Sequence, residues 1–161
     1  MLFKILSAIA GRLNNAVSME FAIQDSVVRP GPIAPDDPQT AANYPHLITL
    51  TLISVAPDAA ARNLPEGGNQ IERNFIYTIL ISSNNTDYSA ALTYLETALS
   101  YLQSNPVIEL TDDQDNNKIT TATLTLLNLS LADIQDLWSS LHAPLRPFAL
   151  YSLRYRTTIL S

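Results

Sequence analysis

"PFALYSLRYRTTIL", residues Pro147 to Leu160, is the stretch from which the fold can be read. Its side chains alternate as they do along a strand: Ala149, Tyr151, Leu153, Tyr155 and Ile159 fall on one face, and Arg154 and Arg156 share the other. Such a strand needs a sheet to join and a layer to cover its apolar face. Immediately upstream, Leu131, Ile134, Leu137, Trp138 and Leu141 recur at helical spacing. Ser130, with Asp133 three residues on, gives this short helix a capping-box start, and Pro144 and Pro147 close it.

Working further back, "VIEL", the turn "TDDQDNN" and the threonine-rich "KITTATLTLLN" predict a hairpin. Before it, Tyr88, Ala91, Leu92, Leu95, Leu99 and Leu102 predict a helix over 87–103, ended by Asn105-Pro106. "NFIYTILIS" from Asn74 to Ser82 and "HLITLTLISV" from His46 to Val55 predict two strands, the second apolar on both faces. The stretches around them, about 24–45 and 56–73, lack periodicity and are expected as long loops; residues 29–45 alone hold five prolines. Leu2, Ile5, Leu6, Ile9, Leu13, Ala16 and Val17 predict an opening amphipathic helix over about 2–23. The order helix, two strands, helix, hairpin, short helix, strand reads as α+β. Residues 1–161 are expected to form one domain, a mixed sheet covered by helices.

Composition narrows the function. A chain of 161 residues buries roughly 70% of its unfolded surface as one domain. With no cysteine it has no disulfide, thiolate metal site or cysteine nucleophile. Charged residues are only 15% and hydrophobic ones 47%, a balance that points to surface buried against a partner. The net charge of −6 argues against nucleic acid. It is unevenly spread: six basic and fifteen acidic residues lie up to Asp136, three basic and no acidic residues after it. "MLFKILSAIAGRL" is not taken as a secretion signal, because Lys4 breaks its apolar run, and no stretch is long enough to span a membrane.

Motifs for chemistry are sparse. Asp113-x-Asp115-x-Asn117 opens like a calcium loop, but Lys118 and Leu124 stand where glycine and glutamate are required, so a solvated turn is expected. His46 and His142 have no catalytic motif around them. Gly67-Gly68 lacks the strand and helix of a phosphate loop. Asn84-Asn85-Thr86 and Asn128-Leu129-Ser130 fit the glycosylation sequon as incidental matches. Neither an enzyme nor a cofactor is indicated. Trp138 is expected in the core, since it sits in the stripe of its helix. The arginines of the last strand suit pairing with carboxylates across an interface.

"NPVIEL" followed by "LSLADIQDLWSSLHAPLRPFALYSLRYRTTIL" resembles the N-terminal domain of tail-terminator or cap proteins of contractile injection systems, the phage-tail-like particles of the antifeeding-prophage type. The shared pattern is Asn105-Pro106-Val107, the helix with Leu137-Trp138, and the closing strand with Pro147, Tyr151 and Arg154. "ILSAIAGRLNNAV" looks like the family's opening helix, and Arg62-Asn63 stands where an Arg-Asn is expected. The chain departs from the pattern at Glu72-Arg73-Asn74, where the family has a proline-rich strand entry, and relatives often carry an extension beyond this point.

The resemblance implies a tail-terminator-like fold and a non-enzymatic homo-hexamer. Such a ring would terminate the inner tube and hold the last sheath layer at the end distal to the baseplate. Its partners would be the tube and sheath proteins, with cytoplasmic assembly and no membrane insertion. A ring subunit uses two different patches, so acidic and basic regions on one chain are useful. Arg146, Arg154 and Arg156, with Arg62 and Arg73 in the second long loop, are the expected interface residues. The alternative is an adaptor that binds a partner by strand addition.

Overall fold

The last strand is central to a seven-stranded sheet. In the computed structural model, which describes residues 1–33, 48–59, 70–72, 75–85, 87–112 and 115–159, the helices are α1 (Leu2–Phe21), α2 (Tyr88–Ser104) and α3 (Leu131–Leu141). The strands are β1 (Val28–Pro30), β2 (Ile48–Pro57), β3 (Gln70–Glu72), β4 (Phe75–Ser83), β5 (Val107–Asp112), β6 (Asp115–Leu127) and β7 (Phe148–Ile159). The sheet runs β1-β2-β4-β7-β6-β5, with β3 also paired to β7. All pairs are antiparallel except β1 with β2.

Register shows why β7 holds the middle. It pairs with β6 from Lys118↔Ile159 to Leu127↔Leu150, and with β4 from Tyr77↔Leu153 to Ser82↔Phe148. The predicted alternation places Ala149, Tyr151, Leu153 and Tyr155 in the main core with Tyr77, Ile79, Ile81, Ala122 and Leu124. That face is covered by α1 and α2. Ile5, Ile9, Leu13 and Val17 of α1 are fully buried, and each such side chain contributes roughly 1.5–3 kcal/mol relative to exposure.

The helix α1 is also tied to both sheet edges. Arg12 donates from Nη2 to the Glu109 carbonyl of β5 at 3.0 Å. Asn14 Oδ1 accepts from the backbone N–H groups of Val27 and Val28 at 2.7 and 3.3 Å, beside β1. Edge strands normally leave such groups to water or to another chain. Here the sheet curls so that one helix answers both edges.

The structure corrects several expectations. Both stretches expected as loops hold a short strand, β1 in the first and β3 in the second. Three residues are too few to show a period, and β1 ends at Pro30, which cannot donate to a ladder. Only Ile48, Thr49 and Leu50 of β2 are buried, whereas Leu52 and Val55 are exposed. The covering layers reach only the start of that strand, and a bulge interrupts it between Leu52 and Ser54. In α2 the buried stripe is Ala91, Leu95, Ala98 and Leu102; Tyr88 and Leu92 face outward because the helix is turned toward its alanines. Leu131 is the first residue of α3, ahead of the turn that meets the sheet, and is exposed. The opening helix stops at Phe21 because Ala22 turns left-handed, at φ 52°. His46, Gly67, Gly68 and Asp113 lie outside the described residues.

Candidate assembly interface

The second face of β7 divides at Ser152. Before it, Leu150 packs with Leu80 and Trp138 in a smaller cluster under α3, where Trp138 meets Phe148 edge-on at 5.3 Å. Beyond it the cover ends, and Arg154 and Arg156 stand exposed. Their register neighbours on β6 are Thr123 and Thr121, and Glu72 of β3 is the register partner of Arg156. The uncovered face therefore carries hydroxyls and charges where an interface core would carry large apolar groups.

The arginines differ in what they do. Arg154 donates from Nε to Asp58 Oδ2 at 2.8 Å, an ion pair in which the arginine side chain is 51% exposed and the aspartate 12%. Asp58 follows β2 directly, so the pair braces the end of that strand against the middle of the sheet. Solvent screening at the half-exposed arginine limits its contribution to about 1 kcal/mol or less. Arg146 donates to Asn84 Oδ1 at 2.6 Å, and Asn84 in turn donates to Thr49 Oγ1 at 3.2 Å. Arg156 makes no hydrogen bond or ion pair among the described residues. Arg62 and Arg73 lie outside those residues. Of the five expected interface arginines, the described structure turns two to internal contacts and leaves one directed outward.

Spacing alone does not show the surface around α3. The capping box forms, with the Asp133 N–H donating to Ser130 Oγ at 3.2 Å, so the helix start is well held. On one side of α3 a groove of about 430 Å³ has Ile53, Leu129, Leu137 and Leu150 in its walls and Asp133 and Asp136 beside them. On the other side Ile134, Trp138 and Ala143 line a groove of about 370 Å³, flanked by Leu131 and Leu145. Leu131 is 87% exposed and Leu145 68%. Trp138 is in the core as expected, and its buried Nε1 has no hydrogen-bond partner among the described residues. An apolar stripe does not reveal which of its members will be left on the rim. The exposed leucines therefore had no distinct sequence signal.

His142 caps the C-terminus of α3 in a left-handed conformation, φ 50°, with Nδ1 3.0 Å from the Ser140 carbonyl. Among the described residues no group of three or more His, Cys, Asp or Glu is placed to hold a metal ion. No described helix is long and apolar enough to cross a membrane.

The described residues thus form a curled sheet wrapped on one helix, with grooves and an arginine-bearing face on its outside. The chain belongs to the family described as the Pvc16 N-terminal domain, whose model matches residues 4–157. Among the solved structures that share the fold are two terminator proteins. One is the sheath/tube terminator of PVC, an extracellular contractile injection system, in the extended state. It is 14% identical, with TM-score 0.59 over 95% of this chain and 56% of that one. The other is the tube-terminating cap of the anti-feeding prophage, 16% identical, with TM-score 0.54 over 92% of this chain and 54% of that one. The chain thus spans just over half the length of these proteins. No curated protein sequence matches it.

Proposed function

We propose that this chain caps a contractile injection particle, as a ring of identical subunits that ends the inner tube and holds the last sheath layer distal to the baseplate. The observation that carries this reading is correspondence over nearly the whole chain, in family and in fold, with a sheath/tube terminator. The role is structural and non-enzymatic, without cofactor, nucleic acid or membrane insertion. Six copies form the ring by analogy, assembly takes place in the cytoplasm, and the finished particle is extracellular.

In this reading Arg156 is the cation of the last strand that meets a carboxylate on a neighbouring subunit or on the tube or sheath protein, and Arg62 and Arg73 are further interface cations. Arg154 braces the fold, and Arg146 contributes from the end of α3. Deleting the chain tests the role: tubes of uncontrolled length with sheath lost from the distal end are expected, and particles of normal length and sheathing would overturn it. Charge reversal at Arg156 tests the site and is expected to reduce recovery of caps on particles while the isolated chain stays folded.

A partner-binding adaptor is favoured by one feature, the outer edge of β2, where β1 pairs only with Ile48 to Leu50. Native mass measurement separates the two. A ring, alone or with tube protein, supports the cap; a monomer that binds extended peptides supports the adaptor.

A further inference from the structure

The third helix is attached to the sheet more lightly than the other two. Six side chains of α1 and four of α2 are buried, whereas α3 buries Trp138 alone. Beneath it the buried cluster is Leu80, Trp138 and Leu150, with Phe148 and Leu137 among the half-buried groups around it. Grooves of about 430 and 370 Å³ lie on its two sides and leave its flanks largely unpacked. Among the described residues no α3 side chain hydrogen-bonds the sheet: the Asp133 carboxylate accepts from Ser130, and Ser140 donates to the Asp136 carbonyl within the helix. The docked indole also keeps its N–H buried and unpaired. A donor shut away from water raises the free energy of the closed state relative to an open one in which it is hydrated.

By contrast, the chain on either side of α3 is held. Leu127, where β6 ends, pairs with Leu150 of β7. After the helix, the Ser83 N–H donates to the Pro147 carbonyl at 2.9 Å. Arg146 is tied through Asn84 to Thr49, whose hydroxyl shares a 3.0 Å bond with that of Ser82. We infer that α3 is a flap: it opens as a unit between these anchors while the main core stays folded. Units held by few buried apolar contacts open at lower free energy than the fold as a whole. Opening uncovers Leu80, Phe148 and Leu150, and so extends the bare face of β7 from Arg154 and Arg156 toward its start. The device is a covered apolar surface that becomes available only when the flap lifts.

The chain has no cysteine, so a single introduced thiol reports one position. Ile79 and Leu80 are neighbours on β4 and both fully buried, the first in the main core and the second under α3. In Leu80→Cys the thiol is expected to react with a disulfide reagent at least about a hundredfold faster than that variant's own global stability, measured by urea unfolding, permits. In Ile79→Cys the reaction should follow global unfolding. The unaltered chain is read in parallel by amide hydrogen exchange. Amides from Ile134 to Leu141 are expected to be about a hundredfold or more less protected than those in the middle of β7. Their exchange should also depend more weakly on low concentrations of urea, because the opening exposes little surface. Labelling of Leu80→Cys that tracks global unfolding as Ile79→Cys does, or α3 amides with the protection and urea dependence of β7, overturns the flap.

Discussion

Asn14 is expected to contribute more to stability than its place on a helix suggests, and Asn14→Ala measures it. The Oδ1 atom accepts two backbone N–H groups, at 2.7 and 3.3 Å, in a part-buried setting. Removing it leaves both donors dependent on water at a site where the chain enters β1. A partly buried donor without its acceptor costs about 1–2 kcal/mol, and the longer bond counts for less, giving about 2–3 kcal/mol lost. Alanine recovers about 0.5 kcal/mol of helix propensity, so the net cost is about 2 kcal/mol. For a chain of this size that lowers Tm by roughly 4–8 °C. Urea unfolding followed by far-ultraviolet circular dichroism is a suitable assay, because it reports the helices and strands of the whole fold. Asn14→Asp keeps an acceptor oxygen and should recover most of the loss. If Asn14→Ala unfolds within 0.5 kcal/mol (about 1–2 °C) of wild type, the claim that α1 holds the β1 edge is wrong.

Three further outcomes follow from other sites. Leu13→Ala empties a fully buried position facing the sheet and should cost about 3–4 kcal/mol in the same urea assay, with a cavity left behind. Ser130→Ala removes one half of the α3 capping box and should cost about 1 kcal/mol, read as a thermal shift. Burial raises the Tyr151 phenol above its ordinary pKa of 10.0. The folded chain therefore holds that proton more tightly than the unfolded one. Its stabilisation is full below pH 10 and is lost as pH rises through the raised pKa, so Tyr151→Phe should flatten the alkaline limb of a stability-against-pH profile.

The elements with a long, clean period are legible in the sequence. The alternation from Phe148 to Ile159 assigned both faces of β7 correctly, because side chains on a strand alternate whatever their partners are. The stripe of α1 and the place of Trp138 in α3 were equally plain, as was the stop at Asn105-Pro106, whereas Leu131 of the α3 stripe proved exposed. The strands β1 and β3 were not, since three residues carry no period and exist only because a neighbouring strand pairs with them. Exposure along β2 was hidden for a related reason. Leu52 and Val55 belong to the same apolar run as Ile48 and Leu50, and only the reach of the covering helices separates them.

Local covalent pattern thus determined which segments form helix or strand and which of their faces is apolar. Tertiary structure alone decided that α1 ties both edges of a curled sheet, that Arg154 is taken by Asp58 while Arg156 points outward, and that α3 leaves a groove beside Trp138 with Leu131 and Leu145 exposed on its rim. The physical reason is common to all three. Periodicity is a property of neighbours in sequence, whereas pairing, cover and exposure depend on groups tens of residues away brought together by folding.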